Sequence, residues 1–123
     1  MAPLVWGTLK NGVIPMNDTL RKLYQVVEGR KAEPQEGSYT CYLFDKGLDK
    51  ILKKVGEECS ETIIAAKNGV QEETVGEIAD LIYHLTVMMV QQGIPLEAVT
   101  GELDRRSAKI GNLKQFHVSD HNT

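Results

Sequence analysis

Apolar positions recur along most of this chain at the spacing of one helical face, and the stretches where that spacing lapses mark the connections. Leu20, Leu23, Tyr24 and Val27 form the first set. Asn17 and Asp18 stand where a cap would be and Gly29 lies near the stop, so a helix is predicted from Thr19. Residues 1–18 mix Pro3, Gly7, Gly12 and Pro15 with scattered apolar residues and read as an irregular lead-in. Between Arg30 and Gly47 the period disappears, and Pro34, Gly37 and Ser38-Tyr39-Thr40 predict an ordered loop able to reach a site. The period returns with Ile51, Leu52, Val55, Cys59, Thr62, Ile63 and Ala66, an apolar stripe on a helix from about Leu48 to Asn68-Gly69. The next helix begins near Gln71, carries Val75, Ile78, Ala79, Ile82 and Leu85, and runs through Thr86-Val87-Met88-Met89-Val90 to stop by Gly93. Its later half is apolar nearly all round, and a small domain has few helices to surround it, so a contact between subunits is expected there. Pro95, suited to a first turn, opens a last helix with Leu96, Val99 and Leu103 that ends about Arg105-Arg106. Residues 107–123 form a polar tail. The fold class is all-α.

Composition narrows the partners. At 123 residues one core is expected, and 41% hydrophobic with 25% charged residues is ordinary for a globular chain. A net charge of -3 with acids and bases interleaved points to neither nucleic acid nor an anionic membrane, so an anionic substrate must be held by local charge. Cys41 and Cys59 stand alone and suggest neither a disulfide framework nor a zinc cage. The N-terminus lacks a signal-peptide pattern and no apolar run approaches the roughly 20 residues of a membrane span, so a cytoplasmic location is expected.

The chemistry is concentrated in Glu57-Glu58-Cys59-Ser60-Glu61 on one helix and Glu77-Ile78-Ala79-Asp80 on the next. At about 100° per residue, the first three acids share an arc of roughly 100° and the other two lie about 60° apart. With the Asn68-Gly69 turn between them the two helices can pack antiparallel, so that five carboxylates converge. Such a cluster repels itself unless a cation or a shared proton neutralises it. Oxygen-only ligation selects a hard ion, Mg²⁺ with Mn²⁺ as a substitute, and Mg²⁺ commonly completes its shell with substrate phosphates. Lys50, Lys53 and Lys54 fall on the face of Glu57, Glu58 and Glu61, forming a strip along which a polyphosphate can lie. Any one of these acids alone would read as a solvated face. A di-iron site would call for Glu-x-x-His on two helices, and neither Glu58 nor Glu77 has that histidine. His84 follows Glu77 and Asp80 on one face and suits either a substrate contact or a structural role, while His117 and His121 read as incidental.

Leu23-Tyr24, Arg30-Lys31, Ser38-Tyr39-Thr40, Leu43-Phe44, Lys46-Gly47, Lys50-Ile51-Leu52-Lys53-Lys54-Val55-Gly56-Glu57-Glu58, Ala65-Ala66-Lys67, Glu77-Ile78-Ala79-Asp80-Leu81 and Tyr83-His84 together resemble the phosphoribosyl-ATP pyrophosphohydrolase family, over residues 19–106. The acid pattern alone resembles the wider all-α nucleoside triphosphate pyrophosphatases. The resemblance implies a helical bundle with an antiparallel metal-binding pair, a cytoplasmic homo-oligomer, at least a dimer, and Mg²⁺-dependent hydrolysis of phosphoribosyl-ATP to phosphoribosyl-AMP and pyrophosphate in histidine synthesis. It implies Glu58, Glu61, Glu77 and Asp80 as metal ligands, and Glu57 as a further ligand or the group that orients water, so that Glu57, Glu58 and Glu61 are the catalytic candidates. Lys50, Lys53 and Lys54 are the phosphate candidates, and Arg30, Lys31, Ser38, Tyr39 and Thr40 those for the rest of the nucleotide. Other helical pyrophosphatases and a non-catalytic helical adaptor are the rival readings.

Overall fold

The computed structural model describes residues 16–109, with side chains from Asp18 onward. The described residues form five helices and no strand: α1 Met16–Ala32, α2 Tyr39–Lys46, α3 Leu48–Asn68, α4 Gln71–Gln92 and α5 Leu96–Ser107. The expected lead-in, save its last residues, and nearly all of the polar tail with His117 and His121 lie outside the described residues.

Two boundaries differ from the sequence expectation. The first helix begins at Met16 rather than Thr19 and passes through Gly29 to Ala32. A single interior glycine costs a helix about 1 kcal/mol, too little to stop one that anchors Val27 at 1% exposure in the core. The segment expected to be a loop contains α2. Ser38 has extended backbone and its Oγ accepts the N–H of Cys41 at 3.2 Å, a cap that starts the helix without help from apolar periodicity. Gly47 then serves two helices: its N–H donates to the Leu43 carbonyl at 3.0 Å, and its carbonyl accepts from Ile51 at 3.2 Å. Its φ of 94° is a conformation that side chains disfavour, so the abrupt change of direction between α2 and α3 depends on glycine.

Val27, Leu43, Ile51, Val87 and Val90 form the core, one or two from each of α1 to α4. Burying each such side chain fully is worth about 1.5–3 kcal/mol. The Tyr24 hydroxyl donates to the Ile94 carbonyl at 2.7 Å and fixes α1 against the α4–α5 connection, where Leu96 is buried. The neighbouring Arg21–Glu97 ion pair is exposed and adds little.

The later half of α4, expected at a subunit contact, has His84, Thr86, Val87 and Val90 buried within the chain, while Leu85, Met88 and Met89 are half-buried. The core partners from α1 and α2 supply that cover, and α2 is the helix that periodicity did not predict. The exposed large apolar positions of α4 are Val75, Ile78 and Ile82, in its first twelve residues. On α3 only Ile51 of the seven-residue stripe is buried, whereas Ile63 is 68% exposed. The face that α3 turns to α4 carries Glu58, Thr62 and Ala65, so the acid face is the packed one.

Candidate metal centre and substrate cleft

A two-residue turn joins α3 to α4, closed by the Gly69 N–H donating to the carbonyls of Ala65 and Ala66, both at 3.2 Å. Gly69 takes φ 81°, the left-handed end that reverses the chain after a helix. The helices run antiparallel in register from there. The Thr62 hydroxyl donates to the Glu58 carbonyl at 2.8 Å and lies 3.3 Å from the Glu77 carbonyl across the pair.

That register brings Glu58, Glu77 and Asp80 together, each offering a carboxylate oxygen within 4.8 Å of the others. Glu61 lies beside them, and its charge acts on both Glu58 and Glu77. Glu58 is buried and Glu77 half-buried, yet Oε1 of each is closed off from solvent with no hydrogen-bond donor. Burial first, then the neighbouring Glu61, raises both carboxyls above the usual carboxylate range. Buried acceptor oxygens without donors are rare and costly in folded proteins, and a hard divalent cation is the group that satisfies several of them at once. The donor set therefore fits Mg²⁺: three converging carboxylates, a fourth adjacent, and no sulfur or imidazole among them.

Glu57 lies apart from this group. Its carboxylate pairs with the Lys54 ammonium at 3.3 Å, while Lys54 also reaches Glu58 at 3.7 Å. A rotation of about 100° between adjacent helical positions separates the two acids. Lys54 is thus the cation at the rim of the acid group. Lys53 is exposed, and Lys50 extends over the Tyr42 ring, 6.0 Å from its centre.

Arg30, Lys31, Ser38 and Tyr39 line a separate open cleft of about 900 Å³ between the end of α1 and α2, together with Tyr42 and Phe44. The cleft does not include the acid group. Tyr39 connects the two places, since it lines the cleft while its hydroxyl meets His84 Nε2 at 3.1 Å, one turn beyond Asp80 on α4. Thr40 makes a parallel link through a hydrogen bond to the Tyr83 hydroxyl. The sequence pattern gives Tyr42 no role, and Tyr83 enters only with His84 in the family resemblance. Tyr42 stacks on Tyr39 with ring centres 6.0 Å apart, and its only sequence signal is its place three residues after Tyr39 on α2.

The phosphoribosyl-ATP pyrophosphohydrolase family model matches residues 20–107 of the chain. The phosphoribosyl-ATP pyrophosphatase of Clostridium botulinum (strain Kyoto / Type A2) is 56% identical over 98 residues, covering 80% of this chain and 89% of that protein. That of Listeria monocytogenes serotype 4b (strain CLIP80459) is 53% identical over 95 residues, 77% of this chain and 91% of its own length. The histidine biosynthesis bifunctional protein of Caldanaerobacter subterraneus subsp. tengcongensis is 55% identical over 92 residues, 75% of this chain and 45% of that longer protein.

Proposed function

Because the chain belongs to the phosphoribosyl-ATP pyrophosphohydrolase family, it hydrolyses phosphoribosyl-ATP to phosphoribosyl-AMP and pyrophosphate in histidine biosynthesis, and we propose that it does so with Mg²⁺ held by Glu58, Glu77 and Asp80. The observation that carries this reading is the pair of buried, donorless oxygens on Glu58 and Glu77, which converge with Asp80 on a chain of this family. When bound, the ion supplies Lewis acidity toward phosphate oxygens and lowers the proton affinity of water; Mn²⁺ shares that preference for oxygen donors. Glu61 completes the ligand set or receives the proton of the attacking water. Glu57, tied to Lys54, acts by holding that ammonium beside the acids.

The polyphosphate lies along α3, with Lys54 next to the acids and Lys50 and Lys53 further toward its start. Ammonium groups there offset the charge that develops as pyrophosphate leaves. The phosphoribosyl end extends toward the cleft of Arg30, Lys31, Ser38 and Tyr39, where guanidinium and ammonium groups can hold its phosphate. The test is pyrophosphate release from phosphoribosyl-ATP with and without Mg²⁺, set beside release from plain nucleoside triphosphates. Release that needs Mg²⁺ and favours phosphoribosyl-ATP is expected. Equal turnover of plain triphosphates would point instead to a general pyrophosphatase.

The protein is further proposed to be a homo-oligomer, at least a dimer, in the cytoplasm. Leu52 and Ile63 on α3 and Val75, Ile78 and Ile82 on α4 are all more than a third exposed, and a second copy is the cover such a surface calls for. Among the described residues no helix is long and apolar enough to cross a membrane. Ile63→Asp is expected to shift the mass measured by light scattering toward the monomer, and an unchanged oligomer would remove α3 from the interface.

A further inference from the structure

Among the described residues, four threonines donate their hydroxyls to the carbonyl four residues back: Thr62 to Glu58 at 2.8 Å, Thr74 to Val70 at 3.2 Å, Thr86 to Ile82 at 2.8 Å and Thr100 to Leu96 at 3.4 Å. Such a bond is an ordinary habit of threonine in a helix. Of the four, Thr62 alone has a second carbonyl within hydrogen-bond distance, that of Glu77 on α4 at 3.3 Å. A carbonyl oxygen has two lone pairs and the helix ladder occupies one, so each of these carbonyls can take the hydroxyl as a further donor. The single Thr62 proton is then shared between two helices, with the shorter arm to Glu58.

The two carbonyls belong to Glu58 and Glu77, the residues whose Oε1 atoms are closed off from solvent without a donor. Among the described residues this is the one hydroxyl or amide hydrogen bond that joins α3 to α4. The rest of the contact includes Ala65, buried on the same face of α3, and apolar packing is non-directional, so it resists a small slide of one helix past the other only weakly. The carboxylates of the acid group repel one another when no cation is between them and push the helices apart. A hydrogen bond keeps to a narrow range of distance, so the Thr62 hydroxyl opposes both displacements.

We propose that Thr62 is a positioning residue of the acid group: by sharing its proton between the Glu58 and Glu77 carbonyls it holds α3 and α4 in the register at which their carboxylates take one divalent cation. This role rests on the acid-site reading above and adds to it a group that sets the affinity for the ion. Thr62 spends its proton on the main chain and gives none to the ion's ligands or to phosphate.

Binding of Mn²⁺ to the metal-free protein, read from the electron paramagnetic resonance signal of the free ion, tests this without recourse to turnover, with circular dichroism to check that each variant is helical. Thr62→Val keeps the shape of the side chain and removes the hydroxyl, and one net hydrogen bond corresponds to roughly fivefold in an equilibrium constant. The dissociation constant is therefore expected to rise about fivefold in Thr62→Val and to stay within about twofold of the native value in Thr62→Ser, which keeps the donor. Thr62→Ala set against Thr62→Ser repeats the comparison if Thr62→Val does not fold. Thr74→Val, which removes a hydroxyl bonded only to the Val70 carbonyl, is expected to bind Mn²⁺ as the native protein does. A threonine with a merely structural role would lower the melting temperature and leave the dissociation constant of the folded protein where it was. Native affinity in folded Thr62→Val, a Thr62→Ser protein as weak as Thr62→Val, or a Thr74→Val protein as weak as either would each overturn the role of Thr62. Glu77→Gln separates the two layers. Lost Mn²⁺ binding in Glu77→Gln with native binding in Thr62→Val overturns the positioning role alone, whereas a Glu77→Gln protein that binds as tightly as the native one overturns the acid-site reading and the positioning role with it.

Discussion

Glu77→Gln is expected to lower pyrophosphate release from phosphoribosyl-ATP by at least about 100-fold, and Glu61→Gln to do the same, with both proteins still helical. Loss of a partner one layer out from a metal commonly costs 10–100-fold, so loss of a direct ligand sets a floor near the top of that range. Gln keeps the shape and one oxygen of Glu while removing the charge, which makes the expected loss electrostatic. The variants also probe different helices, since Glu61 is on α3 and Glu77 on α4. If both fail, the site spans the pair. A Glu77→Gln enzyme within threefold of the native rate would remove that residue, and the buried oxygen with it, from the chemistry.

Mg²⁺ is expected to raise the melting temperature by roughly 10 °C at neutral pH when present at about 100 times its dissociation constant, from about 2.7 kcal/mol of binding linkage. The effect should shrink as the pH falls. Burial, then Glu61 and other acids nearby, raises the folded-state pKa of Glu58 and of Glu77. A raised folded value means that the native state holds these protons more tightly than the unfolded chain does. The stability they contribute is complete below the unfolded value of about 4.3 and is lost as the pH rises through the higher folded values. The metal-free protein therefore carries more of this ill-placed charge at neutral pH, where Mg²⁺ relieves it, and less as the pH falls and protons occupy the site. Thermal unfolding with and without Mg²⁺ at pH 7.5 and pH 4.5 checks this. A shift that is equal at the two pH values, or that survives in Glu58→Gln, would place the ion elsewhere.

The helices that carry the acids are legible in the sequence because their ends have local causes. Gly69 and Gly93 take φ 81° and 71°, and a glycine after a periodic run is a signal that needs no tertiary knowledge. α2 is not legible in that way: an eight-residue helix offers little more than two turns of periodicity, and Ser38 alone announces it. The cover of α4 is hidden with it, for Leu43 of α2 is part of the core that covers Val87 and Val90. Likewise the pattern identifies the acids of α3 and α4 but does not separate Glu57 from Glu58, which adjacent helical positions send to different neighbours. Tyr39 and His84 are 45 residues apart, and no local rule pairs them.

The turn at Gly69 and Val70 has a meaning for heredity as well as for shape. One residue added after that turn, within α4 ahead of Glu77, would rotate Glu77 and Asp80 by about 100° and advance them by about 1.5 Å relative to the start of α4. Glu77 and Asp80 would swing away from Glu58 although none of the three had changed. The site is thus encoded partly as a count of residues, and a gene that kept every acid but altered the count would have lost it.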